Sequence, residues 1–218
     1  PLSWQEDYDN SGLIVGNEDN VCKGVYVCLD VFESSVQEAI NKGCNLIISH
    51  HPFIFHSIKK LPPSDEITKI LTLAIKNDIS IYASHTAIDS SIIGVNDILA
   101  KELELKDIER LVDSQNTDKN YLGIGAIGYL SKAVPLNKYL LFVKQKLNIP
   151  SLRYVGKDDC KVSKIALCGG SGISLVDDAI EKRCDLLLTG DIKYHDFLTF
   201  SNKIAIVDIG HFESEQFI

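Results

Sequence analysis

The chain has no methionine in 218 residues, not even at position 1, although leucine and isoleucine are plentiful. Such a sequence is expected to begin inside a longer protein and to have lost its methionine positions. Spacings within one motif are therefore better guides than distances between motifs. No run approaches the roughly 18–20 apolar residues that cross a bilayer, and residues 1–10 carry no secretory pattern. The six cysteines include no C-x-x-C pair. That argues against a disulfide framework or a structural zinc site, and buried thiols in a reducing cytoplasm are expected. Basic residues are outnumbered, 22 against 30 acidic, for a net charge of −8. No general nucleic-acid binding is expected, because no cationic excess is available to displace counterions. There is no Walker A lysine loop and no nucleophile elbow. Gly123-Ile124-Gly125-Ala126-Ile127-Gly128 matches G-x-G-x-x-G, but Tyr129-Leu130 continues a strand where a dinucleotide fold would open a helix.

The remaining composition is that of a folded α/β protein, with 45% hydrophobic residues and a length that suits one large or two small domains. Val25–Leu29 is a β-favouring run, Ser34 or Ser35 can cap a helix carrying Val36, Ala39 and Ile40, Gly43 stops it, and Asn45–Ser49 reads as a buried parallel strand. The pattern returns 140 residues later: Cys28, Ser34, Val36, Ala39, Ile40, Lys42, Cys44 and Leu46 match Cys168, Ser174, Val176, Ala179, Ile180, Lys182, Cys184 and Leu186. Eight identities at a constant offset exceed the roughly two expected by chance and point to internal duplication. The expected architecture is two similar βαβ-containing halves, residues 1–100 and 162–218, packed around a shared metal site. Residues 101–161 form a small α+β insertion, with a polar stretch at Ser114–Asn120, a strand from Leu122 and a helix over Pro135–Leu147.

Functional groups of parallel α/β sheets collect beyond the carboxyl ends of the strands. Four such ends are legible: Ser49-His50-His51-Pro52, His85-x-x-x-Asp89, Thr189-Gly190-Asp191 and His211-x-x-x-Glu215. Four of the six histidines fall there. Imidazole with carboxylate suits Zn²⁺, Fe²⁺ or Mn²⁺. At a strand end the rings of His50 and His51 can diverge toward two ions, with Asp89, His211 and Glu215 completing the set. His85 could orient Asp89 or contact substrate, and His195 could be a general base or a surface residue; both are carried as catalytic candidates. His56 reads as solvated. The amides of Gly169-Gly170-Ser171-Gly172 could cradle a phosphate, although a tight turn explains the same glycines.

Asp9-Asn10-Ser11-Gly12, Ser49-His50-His51-Pro52-Phe53, Ser84-His85-Thr86-Ala87-Ile88-Asp89, Cys168-Gly169-Gly170-Ser171-Gly172, Thr189-Gly190-Asp191 and Gly210-His211-Phe212-Glu213-Ser214-Glu215 resemble the GTP cyclohydrolase 1 type 2 homologues, the Nif-three-like proteins. The resemblance covers nearly the whole chain. It implies two α/β halves with a dinuclear metal site between them, ligated by His50, His51, Asp89, His211 and Glu215. It also implies a ring-shaped homohexamer. The family's opening helix, and its helix and strand after the last Glu, have no counterpart here, so both ends are expected to be cut short. The family name implies ring opening of GTP, yet no residue singles out guanine. The expected function is metal-dependent hydrolysis of a nucleotide-like small molecule in the cytoplasm. The alternative is a non-catalytic metal-binding protein, either a metal chaperone or a regulatory interaction factor.

Overall fold

A computed structural model describes residues 1–91, 93–113 and 123–218. The polar stretch Ser114–Asn120 and Leu122 lie outside the described residues. The chain divides into two compact units, Pro1–Ile88 and Asp89–Ile218. The first boundary therefore falls at Ile88 and not near residue 100.

The first unit holds a four-stranded sheet of β1 (Gly12–Val15), β2 (Val25–Cys28), β3 (Leu46–Ser49) and β4 (Ser80–Ala83), ordered β1-β4-β3-β2. The three later strands are parallel, and β1 runs antiparallel against β4. Helices α1 (Glu33–Asn41) and α2 (Glu66–Lys76) supply Val36, Ala39, Ile70 and Ala74 to a core closed by Ile47 and Ile81 of the sheet. Asp65 caps α2, accepting from the amides of Ile67 and Thr68. Helix α1 starts earlier than a Ser34 or Ser35 cap would place it. Its N-cap is Phe32, and Ser35 reaches back to accept the Phe32 amide at 3.2 Å. Leu13, Val25 and Val27 remain exposed on β1 and β2. The short helix α3 (Thr86–Asp89) follows β4.

The second unit opens with α4 (Val95–Glu102), β5 (Lys106–Asp113), β6 (Gly123–Pro135), α5 (Leu136–Lys146) and β7 (Arg153–Val155). It continues through β8 (Lys161–Leu167), α6 (Val176–Glu181), β9 (Leu186–Thr189), α7 (Tyr194–Phe200), β10 (Ala205–Asp208) and α8 (His211–Glu215). Its sheet has the order β5-β6-β8-β9-β10-β7, with β8, β9 and β10 parallel. Residues 101–161 are thus not a separate insertion. Strands β5, β6 and β7 extend the same sheet at both edges, because β6 pairs with β8 and β7 with β10. The rejection of G-x-G-x-x-G holds, since Gly123–Gly128 lies wholly within β6.

Alternation along β8 shows how this sheet is covered. Ile165 and Leu167 join a core with Leu99, Leu103, Leu140 and Val143 of α4 and α5, while Ala166 joins one with Val176 and Ala179 of α6. Helices therefore lie on both faces. A buried ion pair, Arg110 with Asp97, ties β5 to α4.

The offset read from the sequence reappears in the strand registers. Val25 sits opposite Leu46 in one unit, and Ile165 sits opposite Leu186 in the other, the same two positions moved by 140 residues. A conservative pair, Asn45 and Asp185, performs one task twice. Its side-chain oxygen accepts the Lys23 amide in the first unit and the Ser163 amide in the second. No described helix is long and apolar enough to cross a membrane.

Candidate metal centre

In the first unit, the carboxyl ends of β3 and β4 bring three imidazoles together. His50 and His51 follow β3, and His85 follows β4. Their rings meet with centroids 4.8 to 5.5 Å apart, and one ligand nitrogen from each lies within 4.8 Å of the others. Such crowding of basic groups suits a cation.

Each Nδ1 has an acceptor. His50 donates to the Ser84 carbonyl at 3.2 Å, His51 to Asp30 at 2.9 Å and His85 to Asp9 at 2.7 Å. Fixing the proton on Nδ1 makes Nε2 the ligand nitrogen in each ring. Burial pulls the His85 pKa below its ordinary value, and His50 and His51 add to that, against the raising effect of Asp9. His85 is accordingly neutral near pH 7 and able to ligate. It belongs with His50 and His51 by geometry, which goes beyond the orienting or substrate-contacting roles considered from sequence.

Asp9 lies at the centre of a dense network. Its carboxylate accepts from His85, from the Ser11 hydroxyl, and from the Thr86 amide and hydroxyl. Burial pushes Asp9 up, but the hydrogen bonds from Ser11, Thr86 and His85 outweigh it and hold the group at about 2. The Asp-Asn-Ser-Gly segment therefore acts as a clamp for the loop that carries His85.

In the second unit the donors are His211 and Glu215, one helical turn apart on α8, with Nε2 and Oε2 3.2 Å apart. Asp191, beyond β9, accepts from His211 Nδ1 at 2.7 Å. The hydrogen bond with Glu215 raises the His211 pKa most; Asp191 raises it further against burial, to about 9. In the protein without metal, a proton thus occupies the place between Nε2 and Glu215. Asp89 also belongs to this unit, and Asn96 donates to its carbonyl at 3.3 Å. Asp89 and Glu215 bear electrostatically on buried Cys168, whose thiol burial and these charges push well above its usual range. The Cys168 thiol is therefore protonated at neutral pH, which argues against a nucleophilic role.

The glycines of the 169–172 loop have a steric role. Gly170 adopts φ +62°, and a Cβ there would collide with Glu215 Oε1. A Cβ on Gly190 would come within 2.8 Å of the His211 amide nitrogen. The backbone thus passes against the donors where no side chain fits. The three glycine amides of this loop already have acceptors: Gly169 donates to Asn96 at 2.9 Å, Gly170 to Ser214 at 2.9 Å and Gly172 to Thr189 at 2.7 Å. His195 lies exposed on α7, with its ring edge against Tyr194. His56 is exposed beside Phe55.

The donors fit a divalent ion. Imidazoles whose Nδ1 is anchored, leaving Nε2 as the ligand nitrogen, buried Glu215, and a glycine that gives the carboxylate room are what such a site requires. Sequence reasoning did not assign the anchoring carboxylates. Asp30 lies just beyond the carboxyl end of β2, where the strand-end rule would have found it, whereas Asp9 is linked to His85 only by the fold.

The whole chain, residues 1–218, matches the family described as Duf34/NIF3 (NGG1p interacting factor 3). It is 34% identical over 216 residues to the GTP cyclohydrolase 1 type 2 homolog of Clostridium acetobutylicum, covering 99% of this chain and 80% of that protein. To the protein of the same name from Streptococcus pneumoniae it is 38% identical over 221 residues, covering 97% and 80%. A Staphylococcus aureus hypothetical protein of known structure superposes with a TM-score of 0.91 at 33% identity, covering 98% of this chain and 82% of that one. A Bacillus cereus protein related to NIF3 gives 0.88 at 27% identity, covering 98% and 85%. From a match along its full length and relatives at these identities, the chain belongs to the Duf34/NIF3 family.

Proposed function

We propose that this protein is a dinuclear metal-dependent hydrolase acting on a nucleotide-like small molecule, with His50, His51, Asp89, His211 and Glu215 as metal ligands and His85 beside them. The observation that carries the reading is the imidazole cluster of the first unit, in which three ring nitrogens converge while every Nδ1 is anchored. Two divalent ions, Zn, Fe or Mn, would supply Lewis acidity and a water activated near neutral pH. Asp30, Asp9 and Asp191 hold the rings in one tautomer, so that the donors need no reorganisation. His195, exposed on α7, is the candidate proton acceptor. The name GTP cyclohydrolase 1 type 2 homolog, carried by the curated relatives, supports testing GTP first. The protomer is expected to assemble as a homohexamer.

Metal analysis of the intact protein, followed by turnover assays with GTP and other nucleotides, tests this reading. Two ions per chain, lost on His51→Ala, together with turnover dependent on them, support it. A second reading, a non-catalytic metal chaperone or regulatory factor, is favoured by one observation: three of the amides expected to cradle a phosphate, those of Gly169, Gly170 and Gly172, are engaged within the protein. Absence of turnover with any metal, combined with reversible transfer to an acceptor, would establish that reading in place of the first.

A further inference from the structure

Beyond the donors themselves, the carboxyl edge of the second sheet carries a row of three side chains in register. Arg153 of β7 stands opposite Asp208 of β10, and Asp208 stands opposite Thr189 of β9. Asp208 is buried, with 7% of its surface exposed. Its carboxylate receives the Ile192 amide at 3.2 Å on one oxygen and the Gly210 amide at 3.0 Å on the other. Those amides are the immediate neighbours of Asp191 and His211. One carboxylate therefore spans two loops, one bearing an imidazole and the other its hydrogen-bond acceptor.

Arg153 completes the arrangement. Its guanidinium pairs with Asp208, donates to the Ile192 carbonyl at 3.0 Å and lies over the Phe197 ring at 5.5 Å. Thr189 braces the third loop in the row, donating to the Gly170 carbonyl at 3.0 Å and accepting the Gly172 amide. The strand registers fix this row. A change at Asp208 would shift the two loops relative to each other without removing any donor.

We propose that Asp208, held by Arg153, is the positioning residue of the His211 donor. It sets the separation of the Asp191 and His211 loops and so keeps the His211 ring in one tautomer and orientation. The inference rests on the metal-binding reading only where metal affinity is the readout. The hydrogen bond between His211 and Asp191 can be read directly.

The same sheet supplies a control at its opposite end. Asp185 also binds two backbone amides, those of Ser163 and Lys164, at 2.8 and 2.9 Å, and immediately precedes β9, at the strand end opposite the donor loops. Asp208→Asn, Arg153→Gln and Asp185→Asn are to be compared in the full chain, with histidine-selective ¹⁵N NMR, zinc titration and thermal unfolding. His211→Gln assigns the His211 signal. Asp208→Asn is expected to weaken zinc binding by on the order of 10–100-fold and to broaden or move the His211 Nδ1–H resonance. Arg153→Gln, which keeps the Asp208 carboxylate, is expected to do the same to a smaller degree. Asp185→Asn should lower thermal stability and leave both readouts unchanged.

An unchanged His211 resonance in Asp208→Asn and Arg153→Gln would overturn the proposal. So would an equal change of that resonance in Asp185→Asn. If the unaltered protein binds no zinc, the metal reading fails while the His211 resonance still decides the role of Asp208.

Discussion

The two units share a four-strand order, β2-β3-β4-β1 in one and β8-β9-β10-β7 in the other, and differ in how they hold their histidines. In each, three parallel strands are flanked by an antiparallel one, β1 beside β4 and β7 beside β10. In the first unit the carboxylate that organises the end of the last parallel strand arrives from far along the chain: Asp9 precedes β1 and reaches His85 and Thr86. In the second unit the strand supplies its own carboxylate, Asp208, which Arg153 steadies from the neighbouring strand. Similar registers can thus support equivalent tasks from different places in the sequence, because what the task needs is a carboxylate acceptor at the loop that follows the last parallel strand. The units also differ in cover. The second sheet is packed by helices on both faces, whereas exposed Leu13, Val25 and Val27 remain on the first.

The largest effect expected from breaking this comparison lies in the second unit. Gly170→Val would force a branched side chain into a left-handed backbone and against Glu215. A loss of about 3–4 kcal/mol in chemical denaturation is expected, since strain and collision act together. Ile165→Ala, fully buried in the layer between β8 and α5, should cost about 3 kcal/mol by the same measurement. If Gly170→Val proves the milder of the two, the loop is not held against the carboxylate as described.

The two braces also predict opposite pH limbs for the metal-free protein. Asp9 is held at about 2 against an ordinary 3.8. Its folded pKa lies below the unfolded one, so its contribution is present above pH 4 and is lost as pH falls toward 2. His211 is raised from 6.5 to about 9. Its folded pKa lies above the unfolded one, so its contribution is complete below about pH 6.5 and is lost as pH rises through 9. Urea midpoints across pH should therefore lose their acid limb in Asp9→Asn and their alkaline limb in His211→Gln. At neutral pH, Asp9→Asn should in addition cost about 2 kcal/mol, because its buried donors lose a charged acceptor. Loss of the same limb in both variants would show that the units do not titrate separately.

Much of this was legible in the sequence, and the remainder has physical reasons for being hidden. Periodicity put Val36 and Ala39 on the buried face of α1, and the 140-residue offset reappears as equal registers in β2–β3 and β8–β9. The strand-end rule pointed to His50, His51, His85, Asp89, His211 and Glu215, of which the structure brings the ring nitrogens of His50, His51 and His85 together and sets His211 against Glu215. It also touched Asp191 without assigning its work. Hidden were Asp9 and Asp208, whose roles depend on loops brought together by the sheet. That residues 101–161 join the second sheet is hidden for a related reason. The strand from Leu122 is legible, but β5 is not, and the choice of β8 and β10 as neighbours is a non-local decision that hydrophobic alternation does not encode.

The smallest expected difference concerns how the matched helices begin. At α1, the Ser35 hydroxyl accepts the Phe32 amide and satisfies a donor that the helix itself leaves without an acceptor. The matching position in the second unit is Leu175, and there the chain enters α6 through a 3₁₀ turn over Ile173–Leu175, closed by the Leu175 amide donating to the Gly172 carbonyl at 3.1 Å. One unit uses a side chain and the other a tighter backbone turn. Ser35→Ala should cost about 0.5–1 kcal/mol in denaturant unfolding, the usual worth of such a capping contact. Leu175→Ala should cost through lost apolar contact alone, and its effect should not change when Ser174 is also replaced by Ala. If Ser174→Ala costs as much as Ser35→Ala, the second helix is side-chain capped after all. The two beginnings would then be one device and not two.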